Sequence, residues 1–316
     1  MIFSLIFVHM RKIGSKILSA LLWLLGQMPL RVHYFFASGL AFLAGSVFGY
    51  RKKVVLRNLR CSFPEKTEKE ISDIAKGFYR HFADIIVETI WFGGCTDPKR
   101  LRRSRIVEIE NPELLNELYE TSPSVVMLNS HCGNWELFGG IGSYDYRNTD
   151  FKVKEENMCV VYKRLSSEVW DGVLCRNRIA PLMDRKNYEG LVESRDILRY
   201  AIRNRDKKKF YNFNTDQYPY SGAAKIDIGE FLHQQTYAMA GGITLAHKMS
   251  MSVVYLNIGR KERGHYVMRF NKICSNASEW SVEDILREYY DLLELDIKAQ
   301  PCNYLWSHRR WKNLKQ

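Results

Sequence analysis

From Ser124 to Gly140 the chain reads SVVMLNSHCGNWELFGG: an apolar run at Val125–Leu128, a polar break at Asn129–Ser130, then His131 and, five residues on, Glu136. A buried strand that ends in a polar turn and restarts as a helix is where an α/β protein puts its chemistry. Upstream, Ile71, Ile74, Phe78, Phe82, Ile85, Ile86 and Ile90 recur at spacings of three and four, which predicts a helix over Glu65–Gly93 closed by Gly93–Gly94. Ile106–Glu110 reads as a short strand. Asn111-Pro112-Glu113 starts a helix to about Glu120, with a cap residue, a first-turn proline and an acid at the positive dipole end. Beyond Gly140 the pattern predicts a surface loop over Tyr144–Asn157, a polar turn at Asp184–Lys186 and strands at Met158–Tyr162, Phe210–Asn214 and Lys225–Ile228. Helices are expected at Glu168–Arg178, Glu189–Asn204 and Gln235–Met249, an antiparallel pair at Ser252–Ile258 and Tyr266–Phe270, and an amphipathic helix at Val282–Ile297. Strands alternating with helices predict an α/β fold, a mixed sheet flanked by helices.

The first 50 residues break this pattern. Ile17–Leu30 carries no charge but is short for a span, and Val32–Tyr50 has only His33 ionisable. The second run, at about 1.5 Å per residue, is roughly 28 Å long, close to the bilayer hydrocarbon thickness. Pro29 separates the two. They predict an interfacial helix followed by a transmembrane helix, or a hairpin dipping into one leaflet, against the alternative of a buried helical hairpin. No small-residue cleavage site follows the first run. Arg11, Lys12 and Lys16 precede the pair; Arg51, Lys52, Lys53, Arg57 and Arg60 follow it, and the larger basic excess puts the C-terminal side in the cytoplasm.

Composition sharpens this picture in two ways. Lys plus Arg number 47 against 35 acids, a net charge of +12, which favours an anionic partner: acidic phospholipid, a phosphorylated substrate, an acidic carrier protein or nucleic acid. The hydrophobic fraction of 46% supports a globular core, and 18 Tyr, 16 Phe and 7 Trp suit contact with a membrane interface. The seven cysteines form no C-x-x-C pair, which favours a reducing compartment and argues against a structural zinc site.

Residues five apart on a continuous helix diverge by roughly 140°, so His131 and Glu136 cooperate only if His131 lies on the turn and Glu136 in the first helical turn. The carboxylate then accepts a hydrogen bond from one imidazole nitrogen, and the other nitrogen takes a proton from a hydroxyl that attacks a carbonyl. Backbone N–H groups at the helix start could face the oxyanion. A buried histidine satisfied by a neighbouring carboxylate is the plainer alternative.

Five separated motifs then agree. VVLRNLRCSFPE follows the hydrophobic segment; HCGNWE carries the His-x4-acid spacing; VVYKRLSSEVWDGVLCRNR contains Tyr162, Asp171 and Arg178; TDQYPYSG contains Asp216; NYLWSHRRWK closes the chain. In this order they resemble the bacterial late (secondary) lipid A acyltransferases, the lauroyl and myristoyl acyltransferase family. The resemblance implies an αβα sandwich of the glycerolipid-acyltransferase type, with a membrane anchor over 1–50 and an acyltransferase domain over 51–316. It implies transfer of a fatty acyl chain from an acyl-carrier-protein thioester to the hydroxyl of a 3-hydroxyacyl chain on a lipid A precursor, at the cytoplasmic face of the bacterial inner membrane among its phospholipids. No metal or redox cofactor is implied. His131 would be the general base and Glu136 its support. Asn134, Arg178 and Asp216 would meet substrate, Arg178 by binding phosphate or polarising the thioester, Asp216 by positioning Arg178 or a hydroxyl. Two departures, Lys163-Arg164 where the family has Arg-Pro after the tyrosine and Tyr218-Pro219-Tyr220 after Gln217, bear on acceptor and chain-length specificity.

Other readings remain at this point. The acceptor could be an ornithine lipid, a glycolipid or a lysophospholipid. A metallohydrolase lacks its second histidine one turn from His131. Cys132 could form an acyl-enzyme, although nothing marks its thiol as activated. A basic membrane-anchored binding protein or scaffold would explain the charge, but no nucleic-acid motif is visible. His308, Arg309 and Arg310, beside Tyr304 and Trp306, either meet phosphate or cap the fold, and capping is the reading preferred.

Overall fold

The computed structural model describes residues 2–144, 150–220 and 225–311, residues 2–12 by backbone alone. Part of the expected loop over Tyr144–Asn157, the last residues of the TDQYPYSG block and the tail beyond Trp311 lie outside the described residues. In chain order come α1 (Ile2–Gly26), α2 (Leu30–Phe42, continued by a π-helical turn at Leu43–Val47), α3 (Lys52–Ser62) and α4 (Glu68–Gly93). Then follow α5 (Pro98–Ser104), β1 (Val107–Ile109), α6 (Pro112–Thr121), β2 (Val125–Asn129), β3 (Met158–Tyr162) and α7 (Glu168–Arg178). The chain continues with β4 (Leu191–Glu193), α8 (Ile197–Arg203), β5 (Phe210–Asn214), β6 (Lys225–Phe231), β7 (Gln234–Met239), α9 (Gly241–Lys248), β8 (Ser252–Glu262), β9 (His265–Cys274) and α10 (Val282–Ala299).

Seven strands form a mixed sheet in the order β1-β9-β8-β2-β5-β3-β4, and β6-β7 pair separately. All neighbours in the sheet are parallel except β8 and β9. β2 is buried along its whole length, as expected of a parallel strand covered on both faces. Val126 and Leu128 point into a core shared with α4, α9 and α10; Val125 and Met127 point into the opposite core with α5 and α6. After β2 the chain crosses to β3 and β4 on one side, and after β5 it returns to β8 and β9 on the other. That reversal falls at the carboxyl ends of β2 and β5, the usual ligand position in such sheets.

Several expectations are corrected here. Glu189–Asn204 is not one helix: Leu191 pairs with Val160 in the sheet, and helix begins only at Ile197. Gln235–Met249 splits likewise. Thr236 and Ala238 are buried while Gln235 and Tyr237 face out, an alternation that makes a strand, and the helix starts at Gly241. Lys225–Phe231 is a strand, but in the separate hairpin. α4 begins at Glu68 because Thr67 and Glu70 form a reciprocal capping box, Thr67 Oγ1 accepting from Glu70 N and Glu70 Oε2 from Thr67 N (3.3 and 2.8 Å).

The first N-terminal helix begins well before the uncharged run, because α1 extends from Ile2 to Gly26 through Arg11, Lys12 and Lys16. Leu30–Val47 is 18 residues of helix, long and apolar enough to cross a membrane, with 17% of it buried. Both helices are tied to the rest. α1 packs on α4 and α7, where the Arg176 guanidinium donates to Ser15 O (3.0 Å) and Ser19 Oγ (2.7 Å). α2 packs along α4. Phe35, Phe36, Phe42 and Phe48 are left exposed.

Candidate active site

β2 and β5 lie side by side with Asn129 opposite Asn214, so the residues that follow each strand emerge together. His131 Nδ1 lies 2.7 Å from Asp216 Oδ1. Asp216 is 1% exposed. Burial opposes its ionisation, but the charge of His131 and the hydrogen bonds from it outweigh that cost and hold the carboxyl below the usual carboxylate range. An anionic Asp216 fixes the proton on Nδ1 and leaves a lone pair on Nε2. Gln217 Nε2 lies 3.2 Å from His131 Nε2, placed to donate to that lone pair. The Trp135 ring packs edge-on against the imidazole at 4.7 Å.

The turn that carries His131 is held by the end of the chain. Leu305 N donates to His131 O (3.1 Å) and Gly133 N to Asn303 O (3.0 Å). Gly133 has φ +62°, and a Cβ there would fall 2.4 Å from Ile258 O, so both conformation and space require glycine. Trp306 and Arg310 are buried, and Arg310 Nη2 donates to Tyr290 Oη (2.8 Å). In NYLWSHRRWK, therefore, Arg310 caps the fold rather than facing a phosphate.

Glu136 does not make the hydrogen bond to His131 that its spacing suggested. It stands in a 3-10 helix, Trp135–Ser143, and takes a side-on pair from Arg178, Nε to Oε2 and Nη2 to Oε1, both 2.9 Å. Burial works against the Glu136 charge, yet Arg178 outweighs it and the carboxyl pKa is lowered. Burial disfavours the Arg178 cation in turn, and Glu136 more than compensates, raising its pKa. The side-on geometry occupies Nε and Nη2 and leaves the Nη1 hydrogens for another acceptor. Tyr162 supports the guanidinium with its ring, 5.9 Å to the centroid. Asp216, expected beside Arg178 or a substrate hydroxyl, is instead the partner of His131.

Asn134 is fully buried rather than facing a substrate: its amide donates to Glu88 Oε2 (2.9 Å) and its carbonyl accepts from Glu136 N (3.3 Å). Glu88 also accepts from Tyr34 and Tyr266, both at 2.8 Å, and burial raises its pKa. The amides expected to face an oxyanion are engaged elsewhere: Cys132 N on Ser130, Gly133 N on Asn303, Glu136 N and Leu137 N on Asn134. The Cys132 thiol is 2% exposed, and burial pushes its pKa well up, which leaves it unsuited to nucleophilic attack. Sequence reasoning missed Gln217 and Glu88 and gave Asp216 a different partner. One signal was available for Asp216: like His131, it stands two residues past a predicted strand.

The sequence matches the family described as "Bacterial lipid A biosynthesis acyltransferase" over residues 1–313. It is 24% identical over 314 residues to the "Lipid A biosynthesis lauroyltransferase" of Escherichia coli (strain K12), an alignment covering 98% of this chain and 95% of that protein. Because the match runs from α1 through the His131 turn to the tail that braces it, the chain belongs to the bacterial lipid A biosynthesis acyltransferases and is an acyltransferase.

Proposed function

We propose that the protein transfers a fatty acyl chain from an acyl-carrier-protein thioester to the hydroxyl of a 3-hydroxyacyl chain on a lipid A precursor. The observation that carries the mechanism is the 2.7 Å contact between His131 Nδ1 and buried Asp216. The acceptor hydroxyl takes the place of Gln217 at Nε2 and gives up its proton there. Its oxygen attacks the thioester carbonyl, the C–S bond breaks, and the proton on Nε2 passes to the departing thiolate. Base catalysis of this kind is typically worth about 10²–10⁴-fold. Arg178, oriented by Glu136, directs Nη1 at the carbonyl oxygen as negative charge develops. Glu136 thus supports the electrophile side of the reaction and Asp216 the base.

The net charge of +12 suits an acidic carrier as donor. The exposed phenylalanines of the N-terminal helices suit seating in the bacterial inner membrane, with the catalytic domain on its cytoplasmic face. Mass spectrometry of lipid extracts from cells with and without the gene tests this reading. Loss of one acyl group from lipid A, restored by the wild type and not by His131→Ala, is the expected result. An acyl group missing from another lipid would keep the chemistry and move the acceptor. No acyl difference in any lipid, in cells with no second enzyme for the step, would overturn the proposal.

A further inference from the structure

A cavity of about 1090 Å³ opens between α2, with its π-helical turn, α3, α4 and the β8–β9 hairpin. None of its lining residues belongs to the His131 site. One wall is apolar and made of small groups, Ala37, Ala41 and Gly45, beside Phe42 and Leu56. Gly45 fits against the Tyr79 ring, where a Cβ would come within 2.9 Å. The other wall is cationic. Arg60 is paired with Glu68, Lys76 with Asp73, and Arg260 and Arg263 share Asp84. Lys52 and Arg80 also line the cavity, are exposed, and have no acidic partner among the described residues. Beside it, Phe42, Leu43, Val47 and Phe48 are exposed apolar side chains on the same turn.

A protein surface that exposes this many large apolar groups beside unpaired cations matches the boundary between acyl chains and headgroups. The volume is at or just above the upper end of ligand pockets, roughly 300–1,000 Å³, and suits a lipid headgroup with the first part of its chains. We propose that this cavity holds one anionic glycerophospholipid of the surrounding membrane, its phosphate between Lys52 and Arg80 and its upper acyl chains against Ala37, Ala41 and Phe42. The inference rests on the membrane seating proposed above. The bound lipid would fasten the α2–α3 corner to the leaflet, apart from the reacting acceptor.

Native mass spectrometry of the full-length protein in neutral detergent tests it, with phosphatidylglycerol or phosphatidylcholine titrated in. The wild type should retain one phosphatidylglycerol and little phosphatidylcholine. A Lys or Arg beside an anionic lipid has a usual worth that makes loss of Lys52 and Arg80 together a roughly thirtyfold weakening. The double variant Lys52→Gln, Arg80→Gln should show that loss with an unchanged melting temperature. The control Arg185→Gln, Lys186→Gln removes the same charge from the exposed turn at 185–186 and should retain the lipid. Equal loss in both variants, retention by Lys52→Gln, Arg80→Gln, or equal binding of the two lipids would overturn the site. Flotation with pure phosphatidylcholine vesicles checks the seating separately: all three proteins should float, and failure to do so would sink the membrane reading while leaving the detergent result to stand or fall alone.

Discussion

His131 and His81 each sit within hydrogen-bond reach of a charged side chain, but the charges have opposite signs. His131 has the carboxylate of Asp216 on Nδ1 at 2.7 Å. His81 has the guanidinium of Arg260 on Nδ1 at 3.0 Å, and Arg260 is in turn held by Asp84 at 2.6 Å. Burial, and after it the Arg260 charge, pushes the His81 pKa down to about 3. On the proposed mechanism the first imidazole carries a positive charge for the duration of a proton transfer, whereas the surroundings of the second oppose one. Access differs as well. The His131 side chain keeps 12% of its surface, at the strand ends, while His81, on the buried face of α4, is 2% exposed. His81, Asp84 and Glu88 make one buried polar stripe on α4, bonded to Tyr34 of α2, to Arg263 at the β8–β9 turn and to Asn134 beside the active turn. A histidine near an acid is thus an incomplete signature. The sign of the nearest charge and access to the ring separate the two histidines.

The sharpest way to break this contrast is to remove the charge from one side. On the proposed mechanism Asp216→Asn keeps a hydrogen-bonding group of the same shape but no longer supports the imidazolium. Acyl transfer should fall by about 10²–10⁴-fold, as it should in His131→Ala. Both proteins should fold and associate with membranes as the wild type does. The measurement is transfer from an acyl-carrier-protein thioester to a lipid A precursor in detergent, and full activity in Asp216→Asn would remove Asp216 from the mechanism.

A smaller effect is expected at the neighbouring ion pair. Glu136→Gln leaves the partly buried Arg178 without its counter-charge and free to turn from the carbonyl. The loss in kcat should resemble that of one oxyanion donor, about 10²–10³-fold. Breaking a fully buried pair costs about 3–5 kcal/mol of stability and this partly buried one less, so the melting temperature should drop here and stay put in Asp216→Asn only if His131 alone depends on that charge. Swapping the effects, with Glu136→Gln the more damaging to the pH dependence of kcat, would return Glu136 to the role its spacing first suggested.

Much of this was readable from the chain. Val125–Leu128 is an apolar run and Phe210–Asn214 alternates aromatic residues with asparagine, and both are strands. The position of His131 just past the first followed directly. Its partner did not, because local spacing favours the acid five residues away. Only the parallel pairing of β2 with β5 shows that Asp216 is nearer. Asn134 looked accessible because it lies between two candidate catalytic residues; a buried acid on α4, Glu88, turns it inward. The misread helix at Gln235–Met249 shows the same limit. Its small residues fit either period, and the separate hairpin with β6 decided for a strand.

The smallest effect tests the other side of the contrast. His81 has a folded pKa of about 3, against about 6.5 for a free histidine. Between those values the unfolded chain binds a proton that the folded protein refuses. The stability that neutral His81 allows is therefore complete above pH ~6.5 and is lost as pH falls toward 3, at up to about 1.4 kcal/mol per pH unit. Asp216, whose pKa is also lowered, acts with the same sign but below the free carboxylate value of about 3.9, so it does not intrude between pH ~6.5 and ~5. His81→Gln has no proton to refuse and keeps a carbonyl for Arg260. Thermal unfolding in detergent over that range should show the wild type losing roughly 1–2 kcal/mol more than the variant. Using the difference between the two proteins cancels the titration of His131 and every other group. Parallel slopes would mean that His81 takes its proton in the folded state, and the distinction between the two histidines would then rest on access alone.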